Sequence, residues 1–167
     1  MITVRPAQPE DAATLVALGT AVGREEGAWL LTSDAWRSVA EERRYLRALR
    51  RYPDAAVYVA EDDGQVVGRL SLARDPHSAS HHVADLGLMV AASHRGRGIG
   101  RVLLEQAVAW ARDAGVRKIE LHVFPWNDPA IRLYERFGFR REGVRVQHYR
   151  RDGEFVVAIL MAYRLPG

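Results

Sequence analysis

The residues VADLGLMVA at positions 83–91 have the apolar character of a buried strand. They run through HRGRGIG at 94–100 straight into the apolar helix RVLLEQAVAWAR. From Ile99 to Ala114, helical spacing puts Ile99, Leu103, Ala107, Trp110 and Ala114 along one side, and Val102 and Ala111 widen the stripe. Arg101, Glu105, Arg112 and Asp113 lie largely outside it. That stripe must pack on a sheet, which fixes the helix N-terminus beside the end of the preceding strand. The first turn of such a helix has unpaired N–H groups and the positive end of the helix dipole, which favours an anion by about 0.3 to 2 kcal/mol per charge. Gly96, Gly98 and Gly100 remove side chains that would hold an anion off those amides, and Arg95 and Arg97 add charge. A basic surface turn whose glycines only relieve strain is the plainer reading of the same letters.

Spelling separates this turn from other phosphate loops. A Walker loop ends in Gly-Lys-Ser/Thr, which is absent. A dinucleotide fingerprint would use Gly96 and Gly98, but its third glycine falls on Arg101. Glu120 sits where a ribose-binding acid belongs, yet the turn follows a hairpin late in the chain instead of an opening strand–helix–strand unit.

Around this core the pattern predicts β, α, α, β, β, β, α, β, α, β, β. The strands are ITVRPA, AAVYVAEDD, QVVGRLSLAR, VADLGLMVA, RKIELHVF, FRREGVRVQHYR and EFVVAILMAYRL; the helices are PEDAATLVALGTAVG, AWRSVAEERRYLRALRRY, the one at Ile99–Ala114, and DPAIRLYERF. Hairpins beside strand–helix–strand units imply an α/β (α+β) protein, with a mixed, mostly antiparallel central sheet and helices on both faces. With 167 residues, 48% of them hydrophobic, the chain reads as one domain over 1–167. It has no cysteine, which rules out disulfides, thiolate zinc sites and a cysteine nucleophile. No leader pattern or apolar run of membrane-spanning length is present, so the expectation is a soluble, unprocessed, cytoplasmic protein with no membrane partner. The net charge of +3 comes almost wholly from arginine, Lys118 being the only lysine, and it suits a polyanionic cofactor as well as nucleic acid.

Read as R-x-x-G-x-G, Arg95, Gly98 and Gly100 resemble the pyrophosphate-binding signature of the GNAT superfamily of acyl-CoA-dependent N-acetyltransferases. NDPAIRLYERFGF at 127–139 is similar to the second motif of that superfamily, an asparagine followed by a short helix carrying Ala-x-x-Leu-Tyr and ending in Gly-Phe. The resemblance runs from about Ile2 to Leu165. WARDAGVRKIELHVFPWN and REGVRVQHYRRDGEFVVAILMAYRL look like bacterial members that acetylate small amines, amino acids or protein α-amines. One departure is visible: relatives often carry an acid shortly before the last methionine, where this chain has Val156, Val157 and Ala158.

The resemblance implies acetyl-CoA as co-substrate. Its pantetheine would lie along the main chain of Leu88, Met89 and Val90, and its pyrophosphate on the amides of Arg95, Gly96, Arg97, Gly98, Ile99, Gly100 and Arg101. Asn127 and Ala130 would hold the pantetheine side of the second motif, with Tyr134 near the sulfur. An alkyl-ammonium of pKa near 10.4 costs roughly 4 to 5 kcal/mol to deprotonate at pH 7, whereas an α-amine near 7.7 needs far less help. Asp85 is the favoured base; Glu25, Glu26 and His122 are alternatives. Tyr134 is the expected acid for the departing thiolate. An unperturbed phenol is about 2 kcal/mol too weak for full transfer, and stabilises sulfur more readily by hydrogen bonding. Without cysteine there is no acetyl-cysteine intermediate, so direct transfer to a primary amine in a ternary complex is expected. A CoA-binding sensor or scaffold without turnover is the rival reading.

Other signals are weaker. His77, His81 and His82 with Asp85 read as solvated side chains more readily than as metal ligands, so no metal is expected. Arg43, Arg47 and Arg50 read as a solvated helix face instead of a nucleic-acid patch. Trp29 and Trp36 either wall a substrate pocket or pin the second helix. The acceptor is set by the loops 23–34 and 75–82 and by the last hairpin, and the terminal strand pair offers an edge for a homodimer.

Overall fold

The computed structural model describes residues 1–31 and 36–167. Seven strands, β1 (Ile2–Pro6), β2 (Ala55–Asp62), β3 (Gln65–Arg74), β4 (Val83–Val90), β5 (Lys118–Val123), β6 (Arg140–Arg151) and β7 (Glu154–Arg164), form one sheet in the order β1-β2-β3-β4-β5-β7-β6. Among the described residues, four α-helices accompany them: α1 (Ala12–Gly23), α2 (Val39–Leu49), α3 (Ile99–Ala114) and α4 (Asp128–Phe137). The element order is the predicted one. Every strand pairing is antiparallel except β4 with β5, which gives the mixed, mostly antiparallel sheet that hairpins plus a single strand–helix–strand crossover require.

Alternation along the strands divides the core. Tyr58 and Ala60 of β2 join Leu70 and Leu72 of β3 under α3 and α4, while Val57 and Val59 pack with Leu15 of α1 and Leu46 of α2. Helices therefore cover both faces. Along the apolar stripe of α3, Ile99, Leu103, Ala107 and Ala111 are almost inaccessible, but Val102, expected to widen the stripe, is exposed, and Leu104 is buried on the other flank.

Two helix starts differ from expectation. The first begins as a 3-10 turn at Pro9–Asp11 before α1. The second begins at Val39, because Ser38 accepts a hydrogen bond from Glu41 N while the Glu41 side chain answers the Ser38 backbone N–H. Of the expected helix start at 35 and loop 23–34, residues 32–35 lie outside the described residues.

The sheet opens within itself. β4 and β5 pair only over Val83–Asp85 and Lys118–Glu120. Beyond that point β4 continues to Val90 paired with β3, and β5 continues to Val123 paired with β7. The result is a V-shaped gap at the C-terminal end of β4, and α3 begins a few residues past that end.

Candidate active site

A cavity of about 780 Å³ occupies the gap and reaches the start of α3. Leu88, Met89 and Val90 line one wall, Asn127, Ala130 and Tyr134 another, and the turn residues Arg95, Gly96, Gly98, Ile99, Gly100 and Arg101 the end. Gly96 (φ +74°) and Gly98 (φ +81°) adopt the left-handed conformation, and a Cβ on either would meet no atom within 4 Å. Gly98 is the N-cap of α3, so no side chain satisfies the first-turn amides of that helix. These bare donors on a helix dipole fit a diphosphate, and the free edge of β4 fits an extended, amide-bearing chain.

Gly100 does something other than clear space for an anion: a Cβ there would lie 2.6 Å from Leu133 Cδ2, so its bareness lets α4 approach α3. The turn arginines are also more engaged than their spelling suggests. Arg95 forms a paired contact with Glu25, NH2 to Oε2 at 2.8 Å, and donates from Nε to Val90 O at 3.1 Å. Arg97 pairs with Asp62 at 3.2 Å and is not among the cavity-lining residues. Arg101 pairs with Glu105 at 3.3 Å and lies over the Phe137 ring. Their charges are thus largely met by acids within the protein.

Asn127 caps α4, its side-chain oxygen accepting from Ala130 N at 3.3 Å. That cap fixes the helix on which Tyr134 sits one turn further on. Tyr134 packs against Phe139 with ring centroids 5.5 Å apart, and burial pushes its phenol pKa up. A raised phenol is a still poorer proton donor to a thiolate, but it stays a neutral O–H that can hydrogen-bond to one.

Asp85 is on β4, opposite Glu120 of β5 where the two strands still pair. It is not a cavity-lining residue, although its neighbour Leu86 is. Solvent reaches it, but surrounding protein crowds the carboxyl; this desolvation, and then the charge of Glu120, pushes its pKa up to about 6. The alternative bases are disposed differently. Glu25 is held below the usual carboxylate range chiefly by its hydrogen bond from Arg95, which makes it a weak base. His122 lines the cavity, shares a 2.7 Å hydrogen bond between Nδ1 and the Tyr149 hydroxyl, and is shifted down by burial and then by His148 and Arg145. Tyr149 went unnoticed in the sequence because nothing in QHYRR distinguishes a site tyrosine from a strand residue.

Of the two roles expected of the tryptophans, the pocket wall is the one seen, and their packing is on α1 instead of the second helix. Trp29 and Trp36 line the cavity, and the Trp36 ring also lies on Gly19 of α1, where a Cβ would approach Cδ2 to 2.5 Å. Beneath Trp36 is a cluster that the sequence reading missed. Arg69 of β3, 6% exposed, is hydrogen-bonded to the fully buried Glu42 of α2 at 3.3 Å. An arginine inside the apolar run QVVGRLSLA was the available signal. The loop histidines serve the loop: His81 Nδ1 contacts Asp75 O at 3.0 Å. Among the described residues, no group of three or more His, Cys, Asp or Glu is arranged to hold a metal, and no helix is long and apolar enough to cross a membrane.

A sheet parted beside a glycine-bounded helix start can take an extended, amide-bearing chain that ends in a diphosphate. Comparison with known proteins gives the family. The family model described as "Acetyltransferase (GNAT) family" matches residues 26–139. The Escherichia coli L-amino acid N-acetyltransferase AaaT is 37% identical over 114 residues, 66% of this chain and 68% of that protein. Mycothiol acetyltransferase of Thermomonospora curvata is 32% identical over 140 residues, 75% of this chain and 44% of that protein. A GNAT-family acetyltransferase from Streptococcus pneumoniae superposes with a TM-score of 0.88 at 27% identity, covering 99% of this chain and 100% of that one. The Salmonella typhimurium protein yncA, solved with its cofactor acetyl-CoA, shares the fold with a TM-score of 0.86 at 23% identity, covering 100% of this chain and 95% of that one. The chain belongs to the GNAT acetyltransferase family and is an acetyl-CoA-dependent N-acetyltransferase that acts on amines.

Proposed function

We propose that the acceptor is the primary amine of a small molecule, an amino acid first among them, and that it attacks acetyl-CoA directly in a ternary complex. The relative named for L-amino acids supports the amino acid, and the absence of cysteine supports direct attack. The observation that carries the reading is the parting of β4 from β5 beside the bare amides of Gly96 and Gly98.

Acetyl-CoA supplies an activated acyl group and a thiol leaving group. The main chain of Leu88, Met89 and Val90 holds the pantetheine as a neighbouring strand would, and the amides from Arg95 to Arg101 hold the diphosphate. Asn127 keeps α4 in register, and Ala130 lets the arm pass. Tyr134 hydrogen-bonds the sulfur as negative charge develops there. Asp85, ionised above pH 6, takes the amine proton through solvent, since it stands outside the cavity wall. The reading includes a cytoplasmic location, which suits a chain without cysteine. It also includes a homodimer through the outer strand β6, whose Val144 and Val146 are 61% and 73% exposed; a monomeric mass by sedimentation would remove that element.

The test is calorimetry with coenzyme A, followed by thiol release from acetyl-CoA across a panel of amines. Binding and amine-dependent release are expected. Binding without release would leave a CoA-sensing module, and no association would refute the site itself.

A further inference from the structure

We infer that Arg69, together with Trp36 and Arg37, forms a carboxylate-binding subsite, so that the preferred acceptors are amino acids with a free carboxylate. This rests on the acetyl-transfer reading above and names the substrate class of the same cleft.

Charge comes first: among the described residues, Arg69 and Arg37 both face Glu42, with Arg69 Nη2 3.3 Å from Oε1 and Arg37 Nε 3.5 Å from Oε2. Aromatic rings lie against both guanidiniums. Arg69 lies 5.4 Å from the centroid of Trp36, and Arg37 lies 4.8 Å from that of Tyr45. Among the described residues, two guanidiniums face one carboxylate: Arg69 and Glu42 are almost wholly removed from water, and Arg37 is 39% exposed. Breaking a buried pair is costly, so Arg69 and Glu42 stay together, and the positive charge available to a ligand anion is the one that Arg37 adds at the solvent side.

Hydrogen bonding points the same way. Arg69 Nε and Trp36 Nε1 are both buried without an acceptor, and Arg69 and Trp36 line the cleft; Glu42 Oε2, buried without a hydrogen-bond donor, is not a cleft residue. Two unmet N–H donors beside the positive charge of Arg37 match the two oxygens of a carboxylate. Placement is right for an α-amino acid. Arg69 pairs in register with Met89, inside the stretch of β4 assigned to the acetyl-bearing arm, so an anion held at Arg69 keeps its neighbouring amine close to the thioester. The same charge repels acceptors that carry further ammonium groups.

The experiment compares the common L-amino acids with their α-amides as acceptors for the wild-type protein. An amide has the lower amine pKa and is intrinsically the easier nucleophile to deprotonate, so a preference for the free acid reports recognition. The expected kcat/KM ratio of acid to amide is at least tenfold for the best side chain. Two variants locate its origin. Arg69→Met with Glu42→Gln removes both buried charges together, avoiding a stranded carboxylate. Trp36→Phe removes only the indole N–H and keeps the ring on Gly19. Each should collapse the ratio towards one, mainly through KM for the free acid, and circular dichroism checks folding. If the double variant does not fold, Trp36→Phe decides alone. Amides or polyamines turned over as fast as free acids, or an undiminished ratio in a folded variant, overturn the inference and leave acetyl transfer standing. Absence of thiol release with every amine overturns both.

Discussion

Replacing Gly98 with alanine tests the anion cradle, and Gly115→Ala is its built-in control. Gly98 caps the start of α3 at φ +81°, and Gly115 ends the same helix at φ +78°; a Cβ at either meets nothing within 4 Å. Backbone strain is therefore matched: alanine in the left-handed region costs about 1 to 2 kcal/mol, with no steric term at either site. For a domain of this size that lowers Tm by roughly 2 to 8 °C in both variants. They differ only in what the methyl faces. At Gly98 it stands over the amides assigned to the diphosphate; at Gly115 it faces solvent past the far end of the helix. A charge-assisted hydrogen bond is worth about 1.5 to 3 kcal/mol, so Gly98→Ala should weaken coenzyme A by about tenfold to a hundredfold. Gly115→Ala should bind as the wild type does. Differential scanning calorimetry supplies the first comparison and isothermal titration the second. Equal coenzyme A affinity in the two variants, with equal Tm losses, would show that the glycine turn is only a helix cap.

Tyr134→Phe keeps the contact with Phe139 and removes one hydroxyl; kcat should fall by tenfold or more while coenzyme A affinity changes less than twofold, and an unchanged kcat would remove the phenol from the reaction. Asp85→Asn should abolish a limb near pH 6 in the kcat/KM profile; a limb that persists points to His122. The same substitution should stabilise the protein at pH 7 to 8. An acid whose folded pKa is raised from 3.8 to about 6 favours the unfolded state increasingly as pH rises from 3.8, and in full above about 6. The shift sets an upper bound of about 3 kcal/mol, which solvent access at Asp85 reduces to ~1 kcal/mol, and the gain should vanish below pH 4, where the carboxyl is protonated in both states.

Much of this architecture is written in local pattern. The helix at Ile99–Ala114 and the short helix Asp128–Phe137 have the predicted limits because each has both a periodic apolar face and a capping signal, glycine for one and asparagine for the other. The anion cradle proposed for the cofactor is legible for the same reason: the donors it offers are backbone groups, and backbone conformation leaves its mark as glycines at fixed spacing. Side-chain clusters drawn from distant segments leave no such mark. Glu42, Arg69 and Trp36 come from α2, β3 and the segment before α2, and only tertiary packing makes them neighbours. Nor does charge in a motif reveal its partner: nothing in the spelling places Glu25, seventy residues earlier, against Arg95.

The gap between β4 and β5 carries a thermodynamic consequence. From Leu86 onward, β4 has no strand partner on its β5 side, so main-chain polar groups that a closed sheet would satisfy face the cavity. A ligand with its own amides can replace that missing strand, and one that does so binds the folded state alone. Saturation at a hundred times Kd then adds about 2.7 kcal/mol to stability, equivalent to roughly 5 to 11 °C in Tm. Coenzyme A should produce this rise. The fragment 3′,5′-ADP, which carries neither pantetheine amides nor a diphosphate, should fall well short of it at the same concentration. Equal shifts from the two would mean that the strand-like arm contributes nothing, and that the opening in the sheet serves something other than pantetheine.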